Sequence, residues 1–373
     1  MALTRIGVLR TFEACSQSFF KSSWAKFAFG ALALLAAISS SSNNSRADEG
    51  GVSFWLPGNY GSLAAVPVQP GWAIAVVNYY TNLSAGGSIS AAREVTIGNL
   101  SPTVNVNLNA NLHSRVDLGL FDPSYTFATP VLGGQLTLDM AGVVGTNNTN
   151  LGGTLTVSAG PFVAMRQGTL SDTETSVGDL YPRATLRWNS GVNSWMAYAT
   201  GDIPVGAYNS SDLANLGIGH GAVDSGVGYT YFNPQTGHEF SAVTGLTYNL
   251  VNPSTNYQNG VDWHLDWGAS QFLSKQFSVG VVGYFYDQLS ADRGCNPALC
   301  PFESRVIGVG PQMTFLFPVG EMQGYLNFKA YGEFDASDRP DGWNAWVTFS
   351  LSPAPPSAPS TSSPIVTKAL PRS

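Results

Sequence analysis

A strict two-residue alternation over residues 104–118 is the sequence feature that most restricts the fold. The even positions are apolar apart from Ser114, whereas the odd positions carry asparagine, histidine, arginine and aspartate. A helix would spread this pattern around its surface, but a strand sorts it onto two faces. The stretch is also longer than the roughly 5–6 residues usual in soluble strands, and a tilted strand that crosses a bilayer needs about 9–11.

The same alternation recurs in residues 179–189, 239–250, 262–267 and 323–334. A soluble β-sandwich alternates as well, but its solvent face usually carries many lysine and glutamate side chains. Here only 11% of the 373 residues are charged, against about 25% in a typical soluble domain. The pattern therefore favours a barrel whose outer face lies in lipid.

Composition excludes three other classes of protein. Aromatic residues make up 12% of the chain, too many for an intrinsically disordered protein. A coiled coil would need far more glutamate and lysine. Beyond the N-terminus, no run approaches the ~18 apolar residues of a spanning helix.

Connector lengths point to the same architecture. From Gly178 onward we predict nine strands, joined alternately by short and long linkers, as in outer-membrane barrels with their short turns and long external loops. Upstream, four more segments are predicted to be strands: 72–82, 103–118, 131–145 and 151–165. Thirteen is an odd number, whereas single-chain bacterial barrels have an even number, so one upstream segment is either misassigned or contains two strands. We predict an all-β, transmembrane, antiparallel up-and-down β-barrel with twelve strands, and fourteen as the second choice.

The chain divides into four predicted parts. Residues 1–47 have a basic start and the apolar run 27–38, which is typical of a secretory signal, and Ser45-Arg46-Ala47 places cleavage before Asp48. Residues 48–70 hold Pro57, Pro67 and Pro70 and are predicted to be irregular, either periplasmic or inside the lumen. Residues 71–351 form the barrel, and the Pro/Ser-rich residues 352–373 a disordered tail.

Charge and cysteine content further limit the function. Without residues 1–47 the chain keeps 12 basic and 23 acidic residues, a net charge of −11, which disfavours nucleic acid as a partner. Cys295 and Cys300 flank Asn296-Pro297, a turn-favouring pair, and in an exported protein a local disulfide is the expected state.

Polar side chains on one face of the predicted strands are the candidate site residues. Asp262, His264 and Asp266 form the sharpest cluster, and we interpret them as lumen wall rather than as a metal site, because one strand supplies only one arc of a metal shell. No catalytic motif is present, and we expect neither a cofactor nor a metal. The candidate lumen-lining residues are Arg115, Asp117, Asp179, Arg183, Arg187, Glu239, Asp262, His264, Asp266, Tyr325, Lys329, Tyr331 and Glu333.

Several short motifs resemble one known family. They include Phe54-Trp55-Leu56-Pro57-Gly58, Gly178-Asp179-Leu180-Tyr181, Pro204-Val205-Gly206-Ala207-Tyr208, His264-Leu265-Asp266-Trp267 and Glu333-Phe334-Asp335. In combination, across residues 50–351, they resemble the family named for the meta-pathway of phenol degradation. The resemblance implies a Gram-negative outer-membrane barrel associated with the catabolism of aromatic compounds. One departure is that Phe349, in the place of the C-terminal aromatic read by the barrel-insertion machinery, is followed by a tail.

Three functions are compatible with these observations. The first is a passive outer-membrane channel for small, aromatic or hydrophobic solutes, in which Tyr325 and Tyr331 could contact a planar solute. The second is an outer-membrane enzyme such as a lipid hydrolase, with His264 in its site. The third is a structural barrel without a pore. The expected partners are outer-membrane lipid, a small-molecule solute and the insertion machinery, and the oligomeric state stays open.

Overall fold

Twelve antiparallel strands form a closed barrel in the computed structural model, which describes residues 53–94, 103–159, 161–294 and 303–355. The predicted fold class and strand number are confirmed. The strands are β1 (Gly71–Glu94), β2 (Thr103–Thr126), β3 (Gln135–Ala159), β4 (Phe162–Ser190), β5 (Asn193–Asp202), β6 (Ala222–Asn233), β7 (His238–Asn249), β8 (Val261–Ser274), β9 (Phe277–Gln288), β10 (Arg305–Val319), β11 (Met322–Ser337) and β12 (Asp341–Pro353).

Each strand pairs with the next along the chain, and β1 pairs with β12 to close the sheet. From β4 to β9 the connectors alternate in length as predicted, whereas the β11–β12 connector, predicted to be long, has only three residues because both strands extend into it. Two to four residues join β4–β5, β6–β7, β8–β9 and β10–β11 on the side of the chain termini, while the β5–β6 and β7–β8 connectors on the other side are long. Closure leaves these strands with no open edge within the barrel wall.

The first four strands are much longer than the others, with 24 to 29 residues against 10 to 16. This length explains the odd strand count from the sequence. The predicted segments 131–145 and 151–165 are not two strands, because β3 runs through most of both and the second also takes in the β3–β4 turn. The sequence between them, residues 146–150, consists only of Asn and Thr and has no turn in the structure.

The alternation on β7 and β8 places polar side chains inside and apolar ones outside. Ser241 and Thr247 of β7 are fully buried, whereas Leu246 and Tyr248 are about half exposed on the outer face. Aromatic side chains lie at both rims of the outer face. Trp72 packs on Tyr125 near the termini, with ring centroids 5.2 Å apart. At the opposite rim Trp343 packs on Tyr80, also at 5.2 Å, as expected for the interface girdles of a membrane barrel.

On β2 the predicted orientation of Arg115 and Asp117 is wrong. Both side chains are exposed on the outer face, whereas Val116 and Leu118 are buried inside. The exposed Phe121 lies on the same outer face, nearer the termini. The outer face of β2 therefore changes from apolar to polar where the long strand passes beyond the lipid belt, and the inner face there packs against protein instead of water.

Residues 53–70, called the plug below, lie inside the barrel. Phe54, Trp55 and Ala65 of the plug are buried in one core cluster with lumen-facing side chains such as Tyr198 and Tyr331. Of the two positions that the sequence left open for this segment, the structure shows the lumen.

Some predictions lie outside the described residues. These are the signal segment 1–47, the Cys295–Cys300 disulfide and nearly all of the tail, of which only the first residues, up to position 355, are described. Within the described residues, no helix is long and apolar enough to cross a membrane.

The orientation of β8 can be tested with two arginine substitutions on its outer face. Leu265→Arg places a charge near the middle of the strand and should cost ~2–4 kcal/mol if this position is at the bilayer midplane. Leu273→Arg lies at the exposed strand end and should cost ~0–1 kcal/mol. Insertion and heat-modifiable gel mobility measure both. Equal insertion of the two variants would contradict the assignment of this face to lipid.

Candidate functional site

The plug contains a tight turn that its sequence favours. In Leu56-Pro57-Gly58-Asn59, the N–H of Asn59 donates to the carbonyl oxygen of Leu56 at 3.2 Å, and Gly58 has a φ of +88°. Proline followed by a glycine at positive φ is the preferred centre of a type II turn. A Cβ on Gly58 would also lie 2.8 Å from the Tyr331 ring, so the turn and its close packing both need glycine.

Two opposite charges of the lumen wall bind the backbone of this turn. Asp266 of β8 accepts hydrogen bonds from the N–H groups of Gly58 and Tyr60, at 2.9 and 3.0 Å. Lys329 of β11 donates to the carbonyl oxygens of Gly58 and Asn59, at 2.6 and 3.2 Å. Asp266 and Lys329 are both buried, so these are charge-assisted bonds in a site with little water. We call the pair the clamp.

Further wall residues hold the rest of the plug. Glu239 accepts from the N–H of Leu63 at 2.9 Å, and Thr230 accepts from the N–H of Ala65 at 3.0 Å. Gly268 of β8 permits the close approach, because a Cβ there would lie 2.9 Å from the backbone nitrogen of Ser62. Polar lumen side chains thus replace the water that the irregular plug backbone would otherwise need.

The aromatic start of the plug packs on a buried histidine. The Trp55 ring stacks on His264 with centroids 3.6 Å apart and an interplanar angle of 14°. His264 Nε2 lies 2.9 Å from Asp224 Oδ2 and 3.4 Å from the Tyr198 hydroxyl. These contacts fix the position of Trp55 on one side of the lumen, and the space that remains lies on the other side.

That space is a cavity of about 140 Å³ between the plug and the wall formed by β1 to β5. Aliphatic side chains of the first three strands line one side, and aromatic rings of the plug and β4 line the other. The apolar lining residues are Phe54, Trp55, Leu56, Val77, Val116, Leu118, Leu120, Ala141, Val143, Tyr181, Leu216, Ile218 and Trp346.

One end of the cavity is polar. Arg183 of β4 pairs with two carboxylates, through Nη2 to Asp122 Oδ2 at 3.1 Å and through Nε to Asp139 Oδ1 at 2.9 Å. Its guanidinium carbon lies 5.9 Å from the centre of the Tyr60 ring of the plug. Burial raises the pKa of the Tyr60 phenol more than the nearby Arg183 lowers it. The phenol is therefore neutral at pH 7.

The β5–β6 connector covers the cavity at the end far from the termini. Residues 215–218 of this connector line the cavity. Three wall side chains hold it in place: Asp179 accepts from the N–H of Gly206 and of Ile218, Asp172 accepts from those of Leu213 and Ala214, and Asn147 donates to the carbonyl of Asn215. The connector is the roof of the cavity.

Apart from Arg115 and Asp117, the candidate lumen residues lie on the inner side of the wall. The structure distributes them over three places: the plug, which His264 also contacts, the ends of the cavity, and the wall itself, where Asp262 accepts from Asn249 and Glu333 accepts from Tyr284. Asp266, Lys329, Tyr331 and Glu239 contact the plug. Arg183 and Asp179 lie at the two ends of the cavity, and Arg187 donates to Thr137 beside Arg183. Within the described residues, no group of three or more His, Cys, Asp or Glu side chains is placed to hold a metal ion.

Sequence reasoning identifies Arg183 but misses the apolar residues that line the cavity. Alternation with Arg115 and Asp117 inside predicts that Val116 and Leu118 face lipid, and Phe54 and Trp55 contribute only to a family motif. The signal that was available is the paired Phe-Trp before Pro57-Gly58, since large aromatic side chains in an irregular segment need a partner surface.

Comparison with known proteins identifies a family and two similar solved structures. A family model described as "Putative MetA-pathway of phenol degradation" matches residues 95–349. A crystal structure of an outer membrane channel from Pseudomonas putida F1 is similar over 80% of this chain and 100% of its own, with 17% identity and a TM-score of 0.49. A Pseudomonas aeruginosa FadL homologue covers 82% and 97%, with 9% identity and a TM-score of 0.35. No curated protein sequence matches.

The clamp can be tested by removing one charge. Asp266→Asn keeps the shape but replaces two charge-assisted bonds, each worth ~1.5–3 kcal/mol, by weaker and incomplete ones. The plug should leave its site more often, and the open probability in single-channel recordings should rise about tenfold or more. Asp262→Asn is the matched control, because Asp262 lies on the same face of β8 but accepts from Asn249 of the wall. Equal open probabilities in both variants would show that the clamp does not hold the plug.

Proposed function

Because the chain belongs to the family described as putative MetA-pathway of phenol degradation, with more than half of its length matched, we propose that it is a passive outer-membrane channel for small hydrophobic solutes, including aromatic ones. The signal-like segment and the apolar outer face support an outer-membrane location after cleavage before Asp48. Solute uptake is the function that best explains the interior of the barrel.

The observation that carries this proposal is the apolar cavity inside a membrane barrel. Its volume is similar to that of the ~150 Å³ engineered apolar cavity that binds benzene. Barrel interiors are ordinarily polar, and this one is polar at the clamp but apolar between the plug and the first strands. A ring-containing solute of about six to eight non-hydrogen atoms would bury most of its surface there, and burial of apolar surface is how apolar solutes gain affinity.

Passage through the channel requires two movements. The roof of the cavity must open on the external side, and the plug must shift to open the way to the periplasm. Both elements are bound through hydrogen bonds to wall side chains and are irregular in structure, so they can move without breaking the sheet. The cavity is then an intermediate binding station on a gated route, rather than part of an open pore.

The enzymatic alternative gains no support from His264. Its hydrogen-bond partners in the described chain are Asp224 and Tyr198, whereas a serine hydrolase needs the histidine beside a nucleophilic hydroxyl. A structural barrel without a pore is the second candidate, because the plug occupies the lumen. Solute uptake distinguishes it from the channel.

Filling the cavity should block uptake without disturbing the barrel. Leu118→Trp projects a larger ring into the cavity, whereas Phe121→Trp is an exposed change on the outer face of the same strand. Uptake of radiolabelled toluene at low concentration is compared in cells that express equal amounts of inserted barrel. For Leu118→Trp the uptake rate should fall at least about fivefold, to near the rate of barrel-free cells. The reason is that a cavity that cannot bind the solute cannot transfer it across the barrel. Phe121→Trp should stay at the wild-type rate. If wild-type cells take up no more toluene than barrel-free cells, the structural alternative is favoured.

A further inference from the structure

The charges around the cavity have one predominant sign. Of the side chains that line it, Asp122, Asp139 and Arg183 are charged, and the single guanidinium bridges both carboxylates. At neutral pH this group carries one negative charge without a counterpart among the lining residues. The polar end of the cavity is therefore anionic.

Charged groups behind the lining do not reverse this sign. Asp179 lies close enough to Tyr181, a lining residue, to act on it electrostatically. Arg187 adds one positive charge next to Arg183 and donates to Thr137. Asp266 and Lys329, which bind the plug backbone at the lining residues Tyr60 and Asn59, add one charge of each sign. Among the described residues, four carboxylates and three cationic groups thus surround the cavity.

Two nitrogens of Arg183 already bind carboxylates of the cavity lining. Its Nε and Nη2 atoms bind Asp139 and Asp122, and its planar head lies beside the Tyr60 ring. An anionic solute would have to displace one of these carboxylates or lie next to it. Both are unfavourable in an apolar cavity, where charge repulsion is only weakly screened and an unpaired charge is costly to bury.

Acceptors, by contrast, are available. The Oδ1 atom of Asp122 is buried and has no hydrogen-bond partner in the described part of the chain. A buried acceptor without a donor costs free energy that a solute hydroxyl or amino group would recover. The polar end is thus complementary to a hydrogen-bond donor and not to a carboxylate.

From these contacts we propose that the cavity selects neutral ring solutes that carry a hydrogen-bond donor and rejects their anionic carboxylate analogues. Asp122 and Asp139 are the specificity-determining residues. The proposal rests on the channel function proposed above and adds a rule for which solutes the cavity accepts. It concerns binding equilibrium in the cavity, so it is testable apart from transport.

Benzamide and benzoate are the probes, because they have nearly the same shape, but benzamide is neutral and presents an N–H donor where benzoate presents only acceptors. Equilibrium dialysis of the detergent-purified full barrel at pH 7.5 gives both dissociation constants. We expect benzamide to bind at least about tenfold more tightly than benzoate. Asp122→Asn and Asp139→Asn should each lower the ratio of the benzoate to the benzamide dissociation constant at least about threefold. Asp335→Asn, the same change at an exposed site outside the cavity, should leave it unchanged.

Equal or tighter binding of benzoate by the wild type overturns the proposal, as does failure of both probes to bind. An unchanged ratio in both cavity variants overturns the assignment to Asp122 and Asp139. If neither variant folds, the wild-type ratio decides. A barrel that binds benzamide selectively but supports no uptake would refute the channel and keep the selectivity. Uptake of neutral solutes by a barrel that binds benzamide and benzoate equally would support the channel and refute the selectivity.

Discussion

The interior of this barrel depends on charged side chains of the wall that bind the backbone of the plug. Asp266 of β8 and Lys329 of β11 bind the turn at Gly58 and satisfy its N–H and carbonyl groups. An irregular segment can lie in a lumen only if such groups find partners. The clamp positions Trp55 against His264, and the plug then forms one wall of the cavity. Plug and cavity are two consequences of the same pair of charges.

Strand length explains why the two halves of the wall differ. In β7 and β8 the strands are about as long as a bilayer crossing requires, so apolar residues face lipid and polar ones face the lumen. The first four strands extend beyond the lipid belt. On β2 the outer face becomes polar at Arg115 and Asp117, and the inner residues Val116 and Leu118 are covered by the plug and the roof. The apolar cavity forms on this side for that reason.

Much of the fold could be predicted from alternation, connector lengths and the even-number rule. The inner faces of β8 and β11 could be predicted from alternation, since those strands lie in the lipid belt for most of their length. Arg115 and Asp117 could not, because alternation defines two faces without saying which one is inside. The clamp could not either, since Asp266 and Gly58 are 208 residues apart and no local pattern relates them. The selectivity and gating that we propose depend on such long-range contacts.

The most direct test of this account is the ionic conductance of a barrel that lacks residues 53–66, recorded in planar bilayers beside the full chain. Correct insertion of both proteins is checked first by heat-modifiable mobility. If the plug closes a lumen that is otherwise open, the full chain should be closed most of the time and the shortened one should conduct steadily. Identical conductance of the two proteins would contradict the claim that the clamped plug controls passage through the barrel.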